Sequence, residues 1–176
     1  MPTTGIQPTD RKVLFDDLFE RHHRLVFGYL LGRCGNRDTA ADMVQDTFVR
    51  VWSHIDDVPQ IADDERHRWL LAIAKRVSVD AARRSKVREP ISQIPPLQEP
   101  RDSAPSPHRA AEAADSLMRL NDAIGELPDE WRTVLVLNVL EGLSSVEIAG
   151  MLGLPEGTVR SHLFHARSRL GKKVGL

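Results

Sequence analysis

The sequence has a single cysteine among 176 residues, so it can form no internal disulfide and no cysteine-based zinc centre. Cys34 reads as a small, partly buried thiol. There is no run of about 18 uninterrupted apolar residues, which excludes an ordinary membrane-spanning helix. The opening MPTTGIQPTD has neither the basic start nor the apolar middle of a secretion signal, so the expectation is a cytoplasmic chain with no membrane insertion. No stretch alternates as a strand does, and no internal repeat is visible. There is no glycine-rich phosphate loop and no nucleophile elbow. The net charge of −1 lacks the broad positive excess of a protein that coats nucleic acid wholesale.

A hydrophobic content of 41% is enough for one ordinary core or two small ones. The positive charge is concentrated in two places. Between Lys75 and Arg88 lie six basic residues (Lys75, Arg76, Arg83, Arg84, Lys86, Arg88) against one acid, Asp80. From Gly157 onward come five more (Arg160, Arg167, Arg169, Lys172, Lys173) with no acid. Residues 89–108 carry six of the eleven prolines and no apolar periodicity. Each proline removes a backbone donor and disfavours helix in the residue before it, so this stretch reads as an extended linker.

On both sides of the linker the apolar spacing is helical. Val13 to Phe19 and Leu25 to Leu30 form two stretches, a third helix starts near Thr39, and a fourth spans about Arg66 to Lys86. Ile55 to Glu65, acidic and holding Pro59, reads as a loop. Later helices are expected at Ala110–Gly125, Asp129–Glu141, Ser144–Leu152 and Glu156–Lys173. The fold class is therefore all-α: two small helical domains, 11–88 and 109–176, joined by the Pro-rich linker 89–108.

The last two helices have the layout of a helix-turn-helix. Ser144 and Glu147 are spaced as a capping box, Ala149 permits a close crossing, and Gly153 suits a left-handed helix end. Leu154 plugs the turn, and Pro155 and Glu156 suit a helix start. On the final helix Val159, Leu163, Ala166 and Leu170 step along one inward face. This leaves Arg160, Ser161, Phe164, His165 and Arg167 free for DNA: a major groove accepts one helix, and Arg160 can reach guanine while Ser161 holds phosphate. A plain solvated amphipathic helix is the blander alternative, but a basic face without acids following a complete turn signature favours DNA.

The blocks AADMVQDTFVRVW and RHRWLLAIAKRVSVDAARR, and later LPDEWRTVLVLNVLEGLSSVEIAGMLGLPEGTVRSHLFHARSRL, resemble the extracytoplasmic-function group of bacterial sigma factors, within the sigma-70 family. The similarity covers nearly the whole chain apart from the first ten residues and the linker. It implies a subunit that binds core RNA polymerase and directs promoter-specific initiation. Asp42, Gln45 and Asp46, with Trp52 one turn beyond, match the patch that grips the clamp helices of the beta-prime subunit. The C-terminal domain is expected to meet the beta flap. Lys75, Arg76, Arg83 and Arg84 lie on the helix that contacts and opens the minus-ten element. The sequence departs from the family here: Arg76 stands where asparagine is common, and the acidic loop has no aromatic to stack on a flipped base. Arg160, Ser161, Phe164, His165 and Arg167 match the minus-thirty-five reader, with His165 replacing a common arginine and Asn138 standing where a basic phosphate contact is frequent. The resemblance also implies an anti-sigma factor, and a tether that lets the two domains span the promoter elements.

Two rival classes remain. A free-standing operator-binding regulator would keep the helix-turn-helix but has no use for DMVQDTF. An enzyme or metalloprotein would draw on His22 and His23 with Cys34, on His162 with His165, or on the acids from Asp56 to Glu65. None of these has a ligand geometry, so no catalytic residue, metal or cofactor is expected.

Overall fold

The computed structural model describes residues 7–85, 120 and 122–174, and every regular element among them is helical. The first, α1 (Pro8–Cys34), is one helix of 27 residues where the sequence pattern reads as two. The charged residues and histidines between Phe19 and Leu25 carry no breaker, so the helix runs straight through them. It ends where Gly35 takes a left-handed φ of 68° and returns its N–H to the Leu31 carbonyl. The side chain of Asn36 then accepts from the Thr39 amide at 2.9 Å and starts α2 (Arg37–Ser53) two residues before the expected position.

Residues 55–65 are more ordered than an irregular loop. Ile55 and Val58 are fully buried three positions apart, the spacing at which a 3₁₀ turn repeats, and the chain forms 3₁₀ turns at Ile55–Gln60 and Asp63–Glu65. The helix α3 (Arg66–Ser85) follows, with Leu70, Leu71, Ala74 and Val77 inward. Of the helix expected at Ala110–Gly125, a helical turn at 122–125 is described and most of the remainder lies outside the described residues, as does the expected linker. Three helices close the chain: α4 (Asp129–Leu140), α5 (Ser145–Leu152) and α6 (Glu156–Val174).

The N-terminal helices α1, α2 and α3 pack on one another, α4 packs on α6 and α5 on α6, and the two units meet where α1 lies against α4 and α3 against α5. One apolar cluster therefore crosses between them, from Leu18, Val26, Leu30, Val51, Leu70 and Val77 to Val134, Leu137, Ile148, Val159 and Leu163. The contact is close because α1 presents glycines. A Cβ at Gly32 would lie 2.5 Å from Thr133 Cα, and one at Gly28 would touch Leu137 and Glu141.

At the centre of this seam is Arg132, only 6% exposed. Its guanidinium has five N–H donors, and each finds an acceptor. Nε donates to Gly32 O at 2.7 Å and Nη2 to Arg33 O at 3.1 Å. Nη1 reaches Gly125 O and Leu127 O, and Nη2 also reaches Asp129 Oδ1 at 2.6 Å. The first two acceptors are among the carbonyls that the end of α1 cannot satisfy internally, and a cation belongs at that end of a helix dipole. Arg132→Met should lower stability by about 3 kcal/mol, because buried acceptors are orphaned on both units; the midpoint of urea unfolding measures it.

Candidate nucleic-acid interface

Three exposed faces carry the residues singled out by sequence. On α2 the inward positions are Ala40, Met43, Thr47, Phe48 and Val51, which turns Asp42, Gln45 and Asp46 to solvent in one row. Val49, 69% exposed, extends that row by a turn; the helical step from Asp42 was the available signal, but the sequence reading did not single this position out. Trp52 lies on the flank of the row beyond Gln45. Its ring packs edge-on to Phe15 at 5.4 Å and Arg11 lies over its face at 5.7 Å. It is part of an aromatic cluster with Phe15, Phe19 and Phe48, yet 43% of it remains exposed.

On α3, Lys75, Arg76, Arg83 and Arg84 are all exposed, while Trp69 is half-buried against the core as its spacing implies. Arg76 and Arg83 are seven residues apart and share a side, with Lys75 and Arg84 flanking them. The single acid of this helix, Asp80, accepts from Arg50 of α2 at 2.9 Å, so its charge is met from the neighbouring helix. Arg84 faces Asp46 at 3.8 Å, which puts the edge of the cationic face beside the acidic row. The acids of the 3₁₀ turns are largely paired locally: Asp56 with Arg11, Asp63 with Arg66 and Glu65 with Arg68.

The helix-turn-helix forms as its signature requires. Ser144 Oγ accepts from the Glu147 amide while Glu147 Oε2 accepts from the Ser144 amide at 2.8 Å, closing the capping box. Gly153 ends α5 at φ 65°, and Leu154 packs on the core. On α6, Val159, Leu163 and Ala166 are buried, Leu170 is partly so, and Arg160, Ser161, Phe164, His165 and Arg167 are exposed. Phe164 is 68% exposed, a large apolar ring standing off the surface. A shallow cleft runs between Asn138 and Ser145 on one wall and Arg160, Leu163, Phe164 and Arg167 on the other.

Partners that the sequence did not reveal hold these side chains in place. Arg160 pairs with Glu156 one turn back. Arg167 donates to Asn138 Oδ1 at 2.7 Å, and Asn138 is itself anchored by donating to Leu143 O. Position 138 therefore orients a cation instead of supplying one. The His165 ring stacks on Trp131, with centroids 5.0 Å apart and planes 19° from parallel.

Residues suggested as metal ligands do not converge: no group of three or more His, Cys, Asp or Glu side chains that could hold a metal occurs among the described residues. Cys34 is partly buried and its thiol donates to Asn36 O; burial pushes its pKa up, so the protonated form is favoured. No helix among the described residues is long and apolar enough to cross a membrane.

Comparison with known proteins matches residues 18–88 to the sigma-70 region 2 family and residues 117–170 to sigma-70 region 4. The ECF RNA polymerase sigma factor SigL of Mycobacterium tuberculosis is 32% identical over 149 residues, covering 85% of this chain and 82% of that protein. The ferric citrate uptake sigma factor FecI of Escherichia coli is 30% identical over 158 residues, 90% of this chain and 89% of that one. Among solved structures, the sigma factor RpoE in complex with the anti-sigma factor NepR from Bartonella quintana has the same fold, with a TM-score of 0.64 over 92% of this chain and 97% of that one at 18% identity. CnrH in complex with the cytosolic domain of CnrY aligns with a TM-score of 0.54 at 27% identity, over 90% and 85% of the two chains.

Hydrogen bonds from the side chain and backbone of Ser144 hold the Glu147 carboxyl below the ordinary glutamate pKa. A carboxylate whose folded value is depressed adds stability above its unfolded value and loses it as pH falls through the folded one. Acidification below the ordinary glutamate range should therefore loosen the α5 start first. In Glu147→Gln that part of the acid dependence should vanish, as read from amide exchange at residues 145–148 across pH.

Proposed function

This chain belongs to the extracytoplasmic-function group of the sigma-70 family, and from that premise we propose how its faces share the work of promoter-specific transcription initiation with RNA polymerase. The unit 11–88 grips the clamp helices of the beta-prime subunit through Asp42, Gln45 and Asp46, with Trp52 at the edge of the contact. A row of acids and an amide on a helix whose other side is core suits basic side chains on a partner helix. This acidic row standing beside a cationic one, on a chain with a second cationic helix, is the observation that carries the reading.

Lys75, Arg76, Arg83 and Arg84 meet the phosphates of the minus-ten element and its opened strand. They supply charge rather than an aromatic platform, since the neighbouring 3₁₀ turns bear no aromatic ring. In the unit 109–176, α6 enters the major groove of the minus-thirty-five element. Arg160 reaches a base edge once Glu156 releases it, Ser161 and Arg167 hold phosphates, Phe164 meets an apolar base edge, and His165 lies against the backbone. Residues 89–108 tether the two units, and the second also touches the beta flap.

The sigma-70 family comprises non-catalytic initiation factors, and the same is proposed here: no catalytic residue, no cofactor, and action in the cytoplasm. RpoE and CnrH are each solved with a partner, NepR in the first case and the cytosolic domain of CnrY in the second, and an anti-sigma factor is proposed to hold this chain too. A free-standing operator-binding regulator would not require the acidic row on α2.

Asp42→Lys should abolish co-purification with core RNA polymerase and run-off transcription while leaving duplex binding by α6 unchanged; retained co-purification would refute the assignment. Arg160→Ala should weaken binding to a minus-thirty-five duplex by about 1–3 kcal/mol and relax preference at one base pair. Arg83→Ala should act alike on all sequences and reduce the slope of log affinity against log salt by about one. Both are measured by fluorescence anisotropy.

A further inference from the structure

The two arginines on the exposed face of α6 have polar partners that place them, Glu156 for Arg160 and Asn138 for Arg167. Phe164 stands on the same face one turn beyond Arg160, and it has no polar atom by which to be held. At 68% exposure most of its ring touches nothing in the chain. A ring so exposed ordinarily exchanges between rotamers, and ordering it at each encounter costs free energy that discrimination then lacks.

The structure supplies a chain of rings instead. Phe164 meets the His165 ring edge-on, with centroids 5.5 Å apart and planes at 72°. Successive side chains on a helix point about 100° apart, so this contact exists only because the two rings lean towards each other. His165 is itself exposed, but its ring is stacked on the Trp131 indole at 5.0 Å with planes 19° from parallel. Trp131, on α4, has the anchor that the other two lack: it packs on the cluster of Leu127, Leu135 and Ala166. Order therefore passes outward from the apolar contact of α4 with α6, through an imidazole, to the ring on the surface. Stacked and edge-to-face contacts at these separations are the arrangements that aromatic quadrupoles favour.

We propose that Trp131 is a positioning residue of the minus-thirty-five reader, and that through His165 it fixes Phe164 as the reader of a thymine methyl. This rests on α6 entering the major groove as proposed above. The target follows from the chemistry of the ring. Phe164 can neither donate nor accept an ordinary hydrogen bond, and the C5 methyl of thymine is the principal apolar group on a base edge in that groove. A fixed ring covers that methyl at one base pair, whereas a ring free to exchange covers several weakly.

Replacing thymine by uracil tests this, because it deletes the methyl and leaves the hydrogen-bonding groups of the base in place. A duplex is selected from a random library by the full chain in complex with core RNA polymerase. It is then rebuilt with uracil at one thymine of the minus-thirty-five element at a time, and affinities are compared by fluorescence anisotropy. Wild type should prefer thymine by about fourfold at one position, the contribution of one buried methyl. In Trp131→Leu, which keeps an apolar side chain in the cluster, that ratio should fall to near one. Trp131→Phe, which returns an aromatic face, should restore most of it. Phe164→Ala should also give a ratio near one, and adding Trp131→Leu to it should change the ratio no further.

If Trp131 served only to hold α6 in place, Trp131→Leu would weaken thymine and uracil duplexes alike and keep the ratio; that result overturns the proposal. So does a wild-type ratio near one at every thymine. Should Trp131→Leu lose helicity by circular dichroism, His165→Ala removes the middle ring from an exposed position, and a retained ratio there overturns the relay as well. A wild-type complex that selects no upstream sequence overturns the placement of α6 together with the relay. Sequence preference without a methyl effect overturns the relay alone.

Discussion

The guanidinium of Arg132 and the carbonyls at the end of α1 form the contact on which the arrangement of this molecule turns. A helix end leaves carbonyls that must be met by something, and water is excluded here because α4 lies directly across the glycines of α1. A long cationic side chain with five donors answers the need from the other unit, and acceptors around Gly125 and Leu127 take its remaining donors. The single side chain therefore shapes the chain entering α4 and docks α4 on α1 together. Removing it leaves unmet acceptors on both sides, which is a larger penalty than losing one surface ion pair.

Electrostatic sorting follows from the same economy of partners. A chain with nearly balanced charge presents cationic faces because its acids are met elsewhere: Asp80 by Arg50, Asp56 by Arg11, Asp63 by Arg66. Where an acid remains beside an exposed cation of α6, as Glu156 beside Arg160, it holds that side chain in place. Asn138 has the same role for Arg167. The two arginines lining the cleft of α6 are consequently already partly ordered by partners within the chain.

Much of this was legible in the residues. The capping box at Ser144 and Glu147, the left-handed Gly153 and the inward stripe of α6 depend on local spacing, and local spacing is what a sequence displays. The row Asp42, Gln45 and Asp46 was singled out by the family resemblance, and its exposure on one side of α2 agrees with the helical step. The continuity of α1 was not, because its polar middle resembles an interruption when tertiary contacts are unknown. Val49 was missed because an exposed valine and a buried one look identical in a pattern. Arg132 was missed for the opposite reason: a charged residue is presumed solvated until the carbonyls that surround it are seen, and those belong to residues about a hundred positions away. The seam between the units depends on such long-range contacts, and periodicity carries no information about them.

The uninterrupted course of α1 has a mechanical consequence. At 1.5 Å per residue its 27 residues make a rod about 40 Å long, with the Phe15 and Phe19 rings toward one end and the Gly32 contact near the other. A rigid rod is a lever. A tilt of roughly five degrees imposed at the aromatic end sweeps the far end by about 2 Å over the intervening 13 to 17 residues, several times the range of about 0.5 Å over which a hydrogen bond holds. Whatever grips the ring cluster thus exerts leverage on a joint it never touches.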